Sequence, residues 1–72
     1  MDNKELTAAF TYHAPDQQQA AAYEDLRANA RAMAAGMTVM CPDSRELSLA
    51  VTKLREAVMW ANAAIAIHGL KR

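Results

Sequence analysis

The sequence predicts an all-α protein: a short N-terminal helix and two long antiparallel helices, a helical hairpin that assembles into an oligomer. Three observations carry this. Helix-start signals follow the only two prolines, Pro15 and Pro42. Behind each runs a stretch whose apolar residues recur at alternating spacings of three and four, the spacing of one helix face. Seventeen of the 72 residues are alanine and only two are glycine, so the composition favours helix and gives little to strands.

The chain reads as a single domain, residues 1–72, with residues 1–15 as its N-terminal segment. Within that segment, residues 3–10 carry Leu6 and Phe10 among helix-tolerant neighbours, which predicts the short helix. Residues 11–15 form an irregular link. Asp16 and Gln19 have the spacing of a capping box, in which each side chain satisfies the other's backbone N–H, so the first long helix is expected over residues 16–40. Asp43 and Glu46 repeat that spacing, and the second is expected over residues 44–68. Gly69 suits the position just past its end. At ~1.5 Å per residue each helix is ~37 Å long, and a link of a few residues around Met40 to Asp43 forces the two antiparallel. Gly36, late in the first long helix, is expected to weaken and fray its last turn.

The seams follow from the spacing. On the first long helix they are Tyr23, Leu26, Ala30, Met33, Met37 and Met40; on the second, Leu47, Val51, Leu54, Val58, Ala61, Ile65 and His68. Both are heptad-like and suit left-handed antiparallel packing. The second helix is also apolar or small at Ala50, Ala57, Met59, Trp60, Ala63, Ala64, Ala66 and Ile67. A hairpin covers one stripe only, and the rest, centred on Trp60, would be an exposed apolar patch in a monomer. Chains this short commonly need a staple. The lone Cys41 allows no internal disulfide and no metal cluster stands in the sequence, so oligomerisation is the staple that remains. It is expected mainly through the second long helix and the N-terminal segment, with a two-fold axis as the default symmetry. Asn62, inside an apolar stretch, is expected to make an interhelical or intersubunit hydrogen bond that fixes register, or else to meet the polar edge of a ligand.

Charge and composition exclude several classes. Eight basic and eight acidic side chains give a net charge of +0, without the basic excess that general DNA or RNA binding requires. The N-terminus lacks the apolar core of a signal peptide, and the longest apolar stretch, residues 57–67, is too short to span a bilayer. An unpaired cysteine without an export signal fits a reducing cytosol. No catalytic or metal-ligating spacing and no phosphate-cradling glycine loop is present, so neither an enzyme nor a cofactor is expected.

Two features could bind a ligand. The link Thr11-Tyr-His-Ala-Pro15 places Tyr12 and His13 on a proline-stiffened segment. Tyr12 either packs over a neighbouring helix end or offers a stacking platform to a base. Arg27 and Arg31 share a helix face one turn apart. Either they are solvated, with Glu24 pairing Arg27, or they clamp a phosphate with their planar forks. Arg45, Lys53, Arg55 and Glu56 read as decoration of the outer face of the second helix.

The segments Phe10-Thr-Tyr-His-Ala-Pro15, Tyr23-Glu-Asp-Leu-Arg27 and Cys41-Pro-Asp-Ser-Arg-Glu-Leu-Ser-Leu-Ala50, with Thr52-Lys-Leu-Arg-Glu-Ala-Val-Met-Trp-Ala-Asn62, resemble the phage anti-CBASS cyclic-nucleotide sponges, which share a helical hairpin with phage proteins that counter Thoeris defence. The resemblance implies a hexamer of small helical protomers. It implies sequestration, without cleavage, of cyclic dinucleotides such as cyclic GMP-AMP, and of cyclic trinucleotides in a second pocket, in the cytoplasm of an infected bacterium. It aligns Tyr12 with a base-stacking tyrosine and Arg27 with a basic residue, often lysine, that meets the ligand phosphate. For the second pocket it points to Asn29, Arg31 and His68, where neutral His68 is a weaker phosphate partner than arginine. The competing reading is a non-enzymatic adaptor bundle that binds another protein through the apolar face around Trp60.

Overall fold

The computed structural model describes residues 1–71. They form three helices, α1 (Asn3–Phe10), α2 (Gln17–Met40) and α3 (Arg45–His68), with no strand among the described residues. The all-helical hairpin expected from the sequence is present in the protomer. Its longest dimension is 45 Å.

Side-chain caps set where each helix starts. Asp2 accepts from the Glu5 N–H at 2.7 Å and opens α1. At α2 both arms of the capping box form: the Gln19 N–H donates to Asp16 Oδ1 at 2.8 Å and the Asp16 N–H donates to Gln19 Oε1 at 3.1 Å. The start of α3 corrects the sequence reading. Ser44, not Asp43, is its N-cap, and Ser44 Oγ accepts from the Leu47 N–H at 3.1 Å. The third residue of the helix is then Leu47 rather than Glu46, so no capping box closes. Leu47, whose N–H makes this cap bond, is the one buried residue among the described residues, 9% exposed. Glu46 keeps a favourable place in the first turn, near the positive end of the helix dipole.

The ends are equally definite. The helix α2 runs through Gly36 to Met40, and the Cys41 N–H closes its last turn on the Met37 carbonyl at 2.8 Å. Gly69 caps α3 with φ +85° and ψ 173°, its N–H donating to Ile65 O at 2.8 Å. That backbone region is essentially reserved for glycine.

The seams hold on α3 and shift on α2. Val51, Leu54, Val58, Ala61 and Ile65 are half-buried behind Leu47, while His68 at the end of the line is exposed. On α2, Tyr23, Leu26, Ala30 and Met37 are half-buried, but Met33 is 58% and Met40 80% exposed, and Ala34 takes the inward place expected for Met33. Ala30, Ala34 and Met37 follow at i, i+4 and i+7, still one helix face, so only the choice between Met33 and Ala34 changes. The apolar flank of α3 is narrower than expected near its end. Ala63, Ala66 and Ile67 are half-buried there, whereas Ala50, Ala57, Met59, Trp60 and Ala64 are exposed.

Candidate ligand-binding site

The hairpin builds a groove along one side of its seam. From α2 come Arg27, Ala30, Arg31 and Ala34, at i, i+3, i+4 and i+7; from α3 come Val51, Leu54, Arg55, Val58 and Met59, at i, i+3, i+4, i+7 and i+8. Both sets are single helix faces, and the short turn fixes which stretches meet. Ala30 and Arg55 stand equally far from the turn's flanking residues, Met40 and Arg45. The groove encloses ≈ 380 Å³, within the range of small-molecule sites. Ala30 and Ala34 leave room on the α2 side, the aliphatic side chains of α3 make the floor, and the lining is almost wholly apolar, so Arg27, Arg31 and Arg55 line it chiefly with their aliphatic stems.

No acidic residue lines this groove. Lys53–Glu56, at 3.3 Å on the exposed face of α3, is the one ion pair among the described residues. Glu24 and Arg27, whose i,i+3 spacing allows a pair in the solvated reading, form none. Arg55, read from the sequence as outer-face decoration, lines the groove instead. Arg27, Arg31 and Arg55 are exposed and make no ion pair among the described residues. Their forks match the geometry of phosphate oxygens.

The other candidate lies on the link between α1 and α2. Thr11 Oγ1 donates to the Thr7 carbonyl, and His13 Nε2 donates to the Ala8 carbonyl at 3.2 Å. These bonds fold the link back onto α1. His13 is half-buried by this arrangement, and Tyr12, between the two anchors, is turned outward and 84% exposed. Its ring packs over no helix end in the protomer.

A family model described as Acb2/Tad1, hairpin domain, matches residues 2–66. The chain belongs to this family. No curated protein and no solved structure matches it. The matched span takes in all of α1, the link with Tyr12, all of α2 and α3 as far as Ala66.

Within this hairpin domain the remaining singled-out residues are spread out. Asn29 is exposed on α2, two positions from Arg31 and so on a nearly opposite face, and does not line the groove. His68 is exposed at the far end of α3, in a polar pocket with Asp16, Gln18, Gln19 and Lys71. Gln19 is ~15 Å along the α2 axis from Asn29 at ~1.5 Å per residue. One protomer therefore brings Arg27 and Arg31 together, but not Asn29 and His68. Asn62 Oδ1 is buried and has no hydrogen-bond partner among the described residues, so the interhelical bond expected of it is not made within the protomer. Trp60 is 70% exposed. Among the described residues no group of His, Cys, Asp and Glu could hold a metal ion, and no helix is long and apolar enough to cross a membrane. Sequence reasoning missed Arg55. The signal was available, because Arg55 lies one turn from Val51 and beside Leu54 on the seam, directly across the hairpin from the Arg27–Arg31 face.

Proposed function

We propose that this protein is a sponge. It binds cyclic oligonucleotide second messengers, cyclic dinucleotides such as cyclic GMP-AMP and also cyclic trinucleotides, and holds them without cleaving them. In the cytoplasm of an infected bacterium this would keep the messenger below the level that triggers CBASS antiphage defence. The observation that carries the reading is the family match over residues 2–66. The site chemistry supports it: Tyr12 offers an unoccupied aromatic face, and Arg27 is a cation without an acid partner among the described residues. Base stacking contributes ~1–3 kcal/mol.

Assembly is part of the proposal. A protomer with one buried side chain among the described residues and an exposed Trp60 would gain from packing against copies of itself, and the sponge resemblance implies six. Two copies about a two-fold axis would offer two Tyr12 rings and two Arg27 groups to a ligand of matching symmetry. The orphaned Oδ1 of Asn62 would gain a donor, offsetting a cost of about 1–3 kcal/mol. Asn29, Arg31 and His68, apart in one protomer, would meet only across protomers.

Titration calorimetry against a panel of cyclic di- and trinucleotides tests the function. Binding of at least one is expected, with intact ligand released on heat denaturation; no binding by micromolar protein overturns it. Tyr12→Ala and Arg27→Ala are each expected to weaken that binding about tenfold or more, and wild-type affinity in both would remove the site. The exposed Trp60 favours the adaptor reading if the panel fails.

A further inference from the structure

The groove between α2 and α3 is apolar and open, and α1 carries an apolar face that the protomer leaves exposed. We propose that the groove is a docking surface for the α1 helix of a second copy of this chain, with Leu6 and Phe10 seated against Ala30, Ala34, Leu54 and Val58. The inference goes beyond the messenger reading: it names a surface and its occupant and requires no ligand.

Four observations carry the inference. First, the protomer shows too much surface for its size. It exposes 6192 Å², whereas a compact monomer of 7.9 kDa exposes roughly 4,400 Å². The surplus of about 1,800 Å² is close to two standard interface patches of about 800 Å² per partner. The Trp60 face is one unpartnered apolar surface, and the groove, lined almost wholly by apolar atoms, is the other. Second, α1 matches the groove in shape. Its Leu6 and Phe10, at i and i+4 on one face, are 42% and 86% exposed, and no residue of α1 is buried. The helix is ~12 Å long at ~1.5 Å per residue, and so is the stretch of α3 from Val51 to Met59 that lines the groove. Ala30 and Ala34 have the same i,i+4 spacing, and an i,i+4 ridge packs into the gap such small residues leave. No residue of the chain's own α1 lines the groove, so the place stands open to a neighbour's. Third, α1 is ready to dock. The Thr11 and His13 side chains bond the Thr7 and Ala8 carbonyls, so the link is held on α1 and little freedom remains to be lost on binding. Fourth, the net charge of +0 sets no overall repulsion between copies. Two copies that exchange α1 reciprocally bury the contact twice about a two-fold axis.

The test is cross-linking between copies, in a Cys41→Ser background that removes the exposed free thiol. Phe10→Cys chains carrying a mass tag are mixed with untagged Ala34→Cys chains, oxidised mildly and run on a non-reducing gel. A mixed dimer of one tagged and one untagged chain is expected. In the control, Phe10→Cys is mixed with Glu56→Cys, whose thiol stands on the back of α3, and little or no mixed dimer is expected. Equal yields from the two mixtures overturn the proposal. A cross-link inside a single chain carrying both Phe10→Cys and Ala34→Cys, without mixed dimer from the separate chains, overturns it in favour of the chain's own α1 closing on the groove. Phe10→Asp gives a second readout. The side chain is exposed, so circular dichroism is expected to match wild type, while light scattering at micromolar protein is expected to show a lower mass. An unchanged mass in Phe10→Asp, or a wild type that is already a monomer, overturns the proposal. Cross-linking and mass are read without ligand, so failure here leaves the sponge reading to the calorimetry, and failure of the calorimetry leaves this docking surface standing.

Discussion

Two faces of α3 carry opposite kinds of unmet demand. The groove face, Val51, Leu54, Arg55, Val58 and Met59, shares its space with two arginines of α2 and has no acid. The back of the same helix carries Leu49, Lys53, Glu56 and Trp60 at i, i+4, i+7 and i+11. There the charges are satisfied by each other at 3.3 Å, while Trp60 and Leu49 are 70% and 45% exposed. One face carries arginines without ion-pair partners among the described residues, and the other lacks apolar cover. The difference teaches that one amphipathic helix can present two unlike surfaces, with the seam between them supplying the one buried side chain among the described residues.

The comparison can be broken at its base, on one face, or left intact and sharpened. The largest effect is expected from Leu47→Ala. It removes the one buried side chain and is expected to destabilise the hairpin by about 2–5 kcal/mol, lowering the thermal midpoint and weakening ligand binding and assembly together. Loss of one without the other would show that the two faces do not depend on a common seam. Next is Trp60→Glu, which places a charge on the back face alone. If that face joins protomers, the penalty is about 2 kcal/mol or more per interface, read as a fall in mass by light scattering at micromolar protein. An unchanged mass would make the Trp60 face something other than a self-interface. The smallest effect is expected from Gly36→Ala. A Cβ there meets nothing within 4 Å, and alanine removes a helix-weakening glycine, so the chain is expected to gain about 0.5–1 kcal/mol in chemical denaturation. A loss instead would show that another copy approaches α2 closely at Gly36.

Much of this was legible in the sequence, and the misses share a cause. The Asp16–Gln19 cap, the α3 seam from Leu47 to Ile65 and the glycine at Gly69 are local or strictly periodic, and side-chain chemistry with helix geometry suffices to read them. The cap of α3 was misread because Asp43–Glu46 and Ser44 compete locally one residue apart, and both fit the cap preferences. Met33 was misread because positions i+3 and i+4 from Ala30 flank the same face, and spacing alone does not choose between Met33 and Ala34. Arg55 was misread because a helix taken alone gives it an outer position, and only the antiparallel partner turns that position into a groove wall.

The sequence by itself determined that the chain is helical, where its helices start and stop within a residue, and which family marks it bears, since caps, periodicity and motif strings are properties of neighbouring residues. Tertiary structure decided which residues share a groove. The short turn sets Arg55 of α3 against Arg27 and Arg31 of α2, the anchors at Thr11 and His13 turn Tyr12 outward, and His68 is left at the opposite end of the bundle from the turn. Those placements depend on the distance between chain segments far apart in sequence, and packing of the two helices along one seam is what sets it.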